Sequence, residues 1–496
     1  MKIYYDDRAC GAGKSYTERA NIVAREGLYI WAVEQRKMMA EPFAKLREQA
    51  ADVGRIPTIK AIYSRGEALD PILGDPVENV RAEIEALPQV YNRGHVIVII
   101  THEALKAADL SGFEGRGWQL VLDETMSVWD QQDMQTTTML GWLQDHYALE
   151  ATEDKGLYRI TSTTDETTRD LAQDTGGKAF AVMHQRILSD RTNVITDFGK
   201  WDDLKDNKEW TWSSMYDPST LDVFDRVTML ANDVTKSVTY ETSRARYPNV
   251  EWVNLNRKTT QTYARRKVVV HYYAVAHEAR RSIFMTTQGK AFLHAVAADI
   301  DKRVGVQPHI WMCNEKDATS LRVNGSPMTG VKLSPRQSGI DKYGDHYHHA
   351  SMIFTAKPGP KEQAVMEALG VSRDAIIATR EHEVLVQFAT RTSLRRSHST
   401  ETVHLTVYDE VQARKLEEYL TRTGYCDVEL QLHRLVVGGV EMADWVKVEE
   451  QRGRPKVVLT DEEIKAKKQA LADRKARNQA ERRARLKAEK EFEKTE

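Results

Sequence analysis

The chain has 496 residues, 41% apolar and 29% charged, with a net charge of −2, a composition that suits two to four globular domains and names no partner by overall charge. Three scattered cysteines, Cys10, Cys313 and Cys426, exclude a disulfide framework or a zinc cage and fit a reducing compartment. The opening Met1-Lys2-Ile3-Tyr4-Tyr5 lacks the apolar core of a signal peptide, and no apolar run approaches the ~18 residues of a membrane span, so a cytoplasmic protein with no membrane partner is expected.

In chain order, Lys2–Tyr5 reads as a strand that leads into Arg8-Ala9-Cys10-Gly11-Ala12-Gly13-Lys14-Ser15, and the stretch after Ser15 reads as a helix. Strand, glycine-rich turn and helix together make a phosphate loop. Gly11 and Gly13 let the backbone curl, Lys14 reaches the terminal phosphates, and the Ser15 hydroxyl holds Mg²⁺. Arg8 stands where the usual pattern has its first glycine. The bland alternative is a glycine turn with a chance lysine, which the strand–turn–helix context disfavours.

Short apolar runs follow at 28–34, 58–64, 95–101 and 118–124, with amphipathic stretches such as 35–53 between them. Strands alternating with helices predict a parallel, doubly wound sheet. The fourth run ends in Asp123-Glu124. At the C-terminal end of a strand beside the loop, Asp123 suits the Mg²⁺ partner and Glu124 the base that activates water.

Residues 195–220 are polar and aromatic without a clear period and read as a loop-rich insertion, in which Trp201, Trp210 and Trp212 read as packing rather than as base-stacking groups. A strand is expected at 225–230, and a second set at 267–273, 308–313, 348–354, 382–388 and 402–408. The expected domains are 1–250, 251–450 and a charged tail from 451. From Arg452 to Glu496 there are 15 Lys/Arg and 9 Asp/Glu, a net of +6, leaving −8 elsewhere. Arg452-Gly453-Arg454-Pro455-Lys456 matches the core of an AT-hook, whose arginines enter a narrow minor groove. A solvated, flexible tail is an equal reading. The histidines at 346, 348 and 349 have no Cys/His set nearby that would complete a metal site.

Residues 384–396, VLVQFATRTSLRR, place Gln387, Arg391 and Arg395 just after the expected strand. This resembles the arginine motif of superfamily-2 helicases, Q-x-x-x-R-x-x-R, with Leu394 at the second arginine's usual place. The glycine loop likewise resembles the A-x-x-G-x-G-K-T form of such motors. Further segments fall in the family's order: 29–39; 97–105, with Thr101 at a strand end; 226–240, with Leu230-Ala231-Asn232 where Ser-Ala-Thr is usual; and 336–350, with Gly339 and Asp341. The resemblance spans most of residues 8–410 and is nearest to helicase-like proteins of phages and mobile elements.

It implies an α/β fold of two RecA-like doubly wound domains and a motor driven by ATP and Mg²⁺. Lys14, Asp123, Glu124, Gln387, Arg391 and Arg395 would be catalytic. Cys10, Gly11, Ala12, Gly13, Lys14, Ser15, Gly339 and Asp341 would bind nucleotide, and Ser15 and Asp123 would hold Mg²⁺. Thr101, Arg452 and Arg454 would touch nucleic acid. The implied partner is DNA, single-stranded or forked, with RNA as the alternative, together with proteins of replication or recombination. Two rival readings are a terminase-like ATPase that moves duplex without unwinding it, and a non-enzymatic DNA-binding scaffold.

Overall fold

The computed structural model describes residues 1–65, 71–134, 140–173, 177–204, 209–259, 261–335 and 343–447. The chain divides into two compact units, Met1–Trp445 and Val446–Glu496. The glycine loop, the acidic pair and the segment with Gln387, Arg391 and Arg395 all belong to the first unit. Gly339, Asp341, Arg452 and Arg454 lie outside the described residues.

Seven parallel strands form the first sheet, in the order Glu251–Asn254, Lys2–Asp6, Arg226–Leu230, Trp118–Asp123, Leu28–Val33, Val96–Thr101, Thr58–Ala61. Leu28–Val33 is buried at every position, as a parallel strand covered on both faces must be. Alternate residues feed two cores, one around Ile30, Val98 and Leu120 and the other around Trp31, Ile99 and Val121. One strand separates the lead-in strand Lys2–Asp6 from the acidic strand Trp118–Asp123. Its last residue, Leu230, is in register with both Asp6 and Asp123. The glycine loop and the acidic pair therefore leave the sheet at one level, on the edge where parallel sheets bind ligands.

The second sheet has six parallel strands, ordered Val331–Lys332, His309–Cys313, His349–Ile353, Val403–Val407, Arg266–Tyr272, Cys426–Leu432. It too is cored on both faces, by clusters around Val270 and Leu405 and around Phe292 and Trp311. Residues 255–259 and 261–265 lie in the crossing between the two sheets.

Two sequence expectations need correction. Residues 195–220, expected as a loop-rich insertion, also carry strand. They supply the end of one strand and the whole of another in a five-stranded antiparallel sheet, ordered Trp129–Met134, Trp210–Tyr216, Thr192–Thr196, Tyr158–Ser162, Tyr147–Ala151. Trp210–Tyr216 is buried at all but one position, so it shows no polar alternation to betray a strand. Trp201, Trp210 and Trp212 are buried in the core of this insertion, as their packing reading requires.

The second correction is the run at 382–388, which is not a strand. Glu383–Ala389 is an α-helix. Its buried residues Leu385, Val386, Phe388 and Ala389 fall at i, i+1, i+3 and i+4, one face of a helix. A short apolar run does not distinguish the two by itself.

Candidate active site

The glycine loop takes its shape from the residues around it. Asp6, buried at the end of the lead-in strand, accepts from Arg8 Nε at 2.9 Å and Nη2 at 2.8 Å. The Arg8 guanidinium also donates to Ala12 O at 3.3 Å and Thr17 Oγ1 at 3.3 Å. Arg8 thus braces the loop from beneath. The conformational work falls on Gly11 and Gly13, at φ 84° and 78°, where a side chain would be strained. Gly13 is also the residue before the helix Lys14–Ala24, whose start no side chain caps among the described residues. The first-turn N–H groups have no intrahelical acceptor and, with the helix dipole, favour an anion.

Lys14 Nζ donates to Arg8 O at 2.7 Å. The Ser15 hydroxyl donates to Asp123 Oδ1 at 2.8 Å, and Trp31 Nε1 donates to Asp123 Oδ2 at 3.2 Å. Burial raises the Asp123 carboxyl above its ordinary value, against the Ser15 hydrogen bond and the charge of Arg19. A carboxylate desolvated in this way gains from a cation beside it. Cys10 brings only a small side chain: burial pushes its thiol up to about 12. Its backbone N–H donates to Tyr419 Oη at 2.7 Å, and Ala9 and Cys10 pack on the core of the second sheet.

Glu124 has φ 75°, and its N–H donates to Leu230 O at 3.0 Å. A left-handed residue directly after a strand breaks the alternation of side chains, at a strain of about 1–3 kcal/mol. Its Oε2 accepts from Gln387 Nε2 at 3.3 Å, and the same amide nitrogen donates to Glu383 Oε1 at 3.0 Å. Asn232 Nδ2 donates to Glu383 Oε2 at 2.8 Å. Gln387 and Glu383 lie on the second-sheet side, Glu124 and Asn232 on the first, so this short chain of hydrogen bonds bridges the two halves. Glu124 is raised to about 8, by burial first and then by the charge of Glu383, with Lys14 opposing. The bridge lines a cavity of about 680 Å³ between the halves.

The arginines divide. Arg395 sits in the turn Ser393–Arg395, and its Cγ lies 4.0 Å from where a Cβ on Gly11 would stand. Arg391 is 3% exposed, stacks over Phe388 at 5.1 Å and donates to Ser334 O at 3.5 Å. Its Nη2 is buried without a hydrogen-bond partner among the described residues. Burial, then the charge of Arg395, lowers the guanidinium to about 10. An orphaned buried cation of this kind favours an anion. Thr101 stands at the end of its strand, but its hydroxyl caps the helix His102–Ala107, accepting from Ala104 N at 3.2 Å.

Sequence reading missed Glu383, Trp31 and Arg257. Glu383 had a signal: it precedes Gln387 by four residues, one turn along the same face, once the segment is known to be helical. Trp31 had none, because its indole reaches Asp123 from a strand far away in sequence. Arg257, whose Nη2 lies 2.6 Å from Glu18 Oε2, sits in a polar crossing without pattern.

No protein-family description and no curated protein matches this sequence. Solved structures resemble it remotely. An XPD helicase is 10% identical, with TM-score 0.47, covering 87% of this chain and 96% of its own. Xpd4 of S. tokodaii is 10% identical, with TM-score 0.44 and the same coverage, 87% and 96%. S. cerevisiae Dbp5 bound to RNA and ADP BeF3 is 10% identical, with TM-score 0.37, covering 87% and 85%. Likeness at this level describes neither the reaction nor the substrate of this chain. Among the described residues, no helix is long and apolar enough to cross a membrane.

Proposed function

We propose that the chain is an ATP-driven nucleic-acid motor of the helicase or translocase type, with a hydrolytic site between its two α/β halves. One observation carries this reading. Glu124, next to Asp123 at the end of the acidic strand, is hydrogen-bonded to Gln387, which comes from the other half of the chain. A carboxylate shared in this way lets the spacing of the halves control hydrolysis.

The residues suit a magnesium triphosphate. The uncapped helix start and Lys14 offer donors to phosphate oxygens, with Lys14 exchanging Arg8 O for them. Ser15 and Asp123 would hold Mg²⁺, which supplies charge neutralisation at the phosphates when bound. Among the described residues, no group of three or more His, Cys, Asp or Glu is arranged to hold a metal ion. Mg²⁺ takes one or two protein ligands together with phosphate and water. Glu124 accepts a proton from the attacking water, and Gln387 orients the pair. Arg395, against the loop, and Arg391 stabilise the charge that develops on the transferred phosphoryl group. Cleavage leaves ADP and inorganic phosphate, and departure of the phosphate takes that charge away, weakens the arginines' hold and lets the halves separate.

DNA is the proposed track, by virtue of the basic tail with Arg452 and Arg454. The experiment measures ATP turnover with single-stranded DNA, duplex DNA and RNA, then strand displacement on a forked substrate. Turnover stimulated by single strands, with displacement, is expected. Turnover on duplex without displacement would favour a packaging-type motor. No turnover under any condition would favour a scaffold and end the proposal.

A further inference from the structure

The glycine loop is held from the second half of the chain as well as from the first. Tyr419, on the helix Glu410–Arg422, is 6% exposed, and its hydroxyl accepts from Cys10 N at 2.7 Å. Ala9 and Cys10 pack on the core of the second sheet, which keeps this amide within the tyrosine's reach. The same end of the helix grips the first half at a second place. Arg422 Nη1 lies 2.8 Å from Asp233 Oδ1, and Glu418 Oε1 lies 3.6 Å from Lys236 Nζ. Asp233 and Lys236 belong to the turn after Arg226–Leu230, the strand between the lead-in strand and the acidic strand. One helix end therefore touches the loop and its neighbouring turn together.

Three groups of the loop that suit phosphate oxygens have protein partners. Lys14 Nζ donates to Arg8 O at 2.7 Å, Ala12 N donates to Ala9 O at 3.1 Å, and Cys10 N donates to Tyr419. The first two partners lie within the loop. The third comes from the other half of the chain. Burial raises the Tyr419 hydroxyl well above its ordinary value, so it stays a neutral phenol. A neutral oxygen is a weaker acceptor than a phosphate oxygen, because a hydrogen bond to an anion is about twice as strong.

We propose that Tyr419 is a positioning residue that competes with phosphate for the Cys10 amide, so that phosphate on the loop releases this helix of the second half. The proposal rests on the nucleotide-hydrolase reading and adds to it a control of phosphate binding by the second half. Linkage makes the effect reciprocal: drawing the helix away from the loop raises affinity for phosphate by the factor with which phosphate loosens the helix. The competition involves the phosphate loop alone, so ATP and inorganic tripolyphosphate feel it alike.

The test measures equilibrium binding of ATP and of inorganic tripolyphosphate to the full chain and to Tyr419→Phe, which keeps the buried ring and loses the hydroxyl. Tyr419→Phe should bind both ligands about tenfold more tightly, the size of one hydrogen bond that no longer has to be given up. A tyrosine that only packs, or only steadies the loop, gives unchanged or weaker binding. Either of those results, or a gain for ATP without one for tripolyphosphate, would overturn the competition and leave the hydrolase reading standing. A wild-type chain that binds neither ligand would remove both. A second measurement keeps the hydroxyl in place. With 3-fluorotyrosine at position 419, the ¹⁹F resonance should move when tripolyphosphate saturates the chain. A resonance that saturation leaves where it was refutes the displacement of Tyr419.

Discussion

The two walls of the cleft are built on different principles. On the first wall the functional groups hold one another: Asp6 holds Arg8, Arg8 braces the loop, and Ser15 and Trp31 hold Asp123. Asp6 and Asp123 end strands of one parallel sheet at the same level, on either side of Arg226–Leu230, so strand register sets their spacing. On the second wall the groups sit on a helix and the turn that follows it. There Gln387 reaches across to Glu124, while Arg391 keeps a buried Nη2 without a partner among the described residues. An unsatisfied buried donor costs about 1–3 kcal/mol, which an arriving phosphate oxygen removes. On the proposed function, the first wall would be finished before a nucleotide binds and the second completed by it.

If that contrast is right, damage to the glycine loop of the first wall removes binding and turnover together, whereas damage to Glu124, where the first wall meets Gln387, or to the arginines of the second wall falls mainly on turnover. Lys14→Ala should show the largest effect, a fall of about 10³-fold in ATP turnover with weakened ATP binding and an unchanged circular dichroism spectrum. Turnover near wild type in that variant would dismiss the loop as the site. Next comes Glu124→Gln, which should lower kcat by about 10²-fold or more while ATP binding stays within a few-fold. An equal loss in binding would mean that Glu124 holds substrate rather than serving as base.

Arg395→Ala should lower kcat by about 10²-fold with little change in ATP affinity. Arg391→Lys, which keeps the charge but loses the planar fork, sharpens the comparison. Reduced kcat in both variants assigns both arginines to the reaction. A loss confined to Arg395→Ala leaves Arg391 as a buried support for the turn, with its stack on Phe388 as its main contact.

The same contrast explains what could be read from the sequence. The first wall is local: strand, loop, helix and acidic strand are each contiguous, and an apolar run followed by Asp123-Glu124 reports its place in a parallel sheet. Asn232 stood out in the sequence only as a departure from Ser-Ala-Thr; its contact with Glu383 comes from the structure. The second wall is not local. Glu383–Ala389 carries a β-branched apolar run that reads as a strand, and only the burial of its i, i+3 and i+4 positions shows a helix. Trp210–Tyr216 hid its strand because it is buried on both faces, which erases alternation. The crossing has no period at all, and only the structure brings its Arg257 to Glu18.

The smallest predicted effect tests the bridge between the walls. Burial and the neighbouring Glu383 hold Glu124 near 8, so below that pH its carboxyl is largely protonated and does not accept a proton from water. Turnover should climb with pH and level off above about 8. Burial raises Glu383 as well, and one amide separates the two carboxyls, so the pair titrates as a unit. Glu383→Gln removes the second charge while keeping one acceptor oxygen for Asn232 or Gln387. Its rising limb should therefore move to lower pH, by less than about one unit, with a few-fold gain in relative turnover near pH 6.5. Stability must follow the same sign. A carboxyl raised from 4.5 to about 8 binds its proton more tightly in the folded chain, so its contribution is full below pH 4.5 and is lost as pH rises through 8. Glu124→Gln should flatten that decline, raising Tm relative to wild type at pH 9 more than at pH 5. A pH–rate profile that Glu383→Gln does not move would show that burial alone holds Glu124 high, and that the two walls meet without sharing charge.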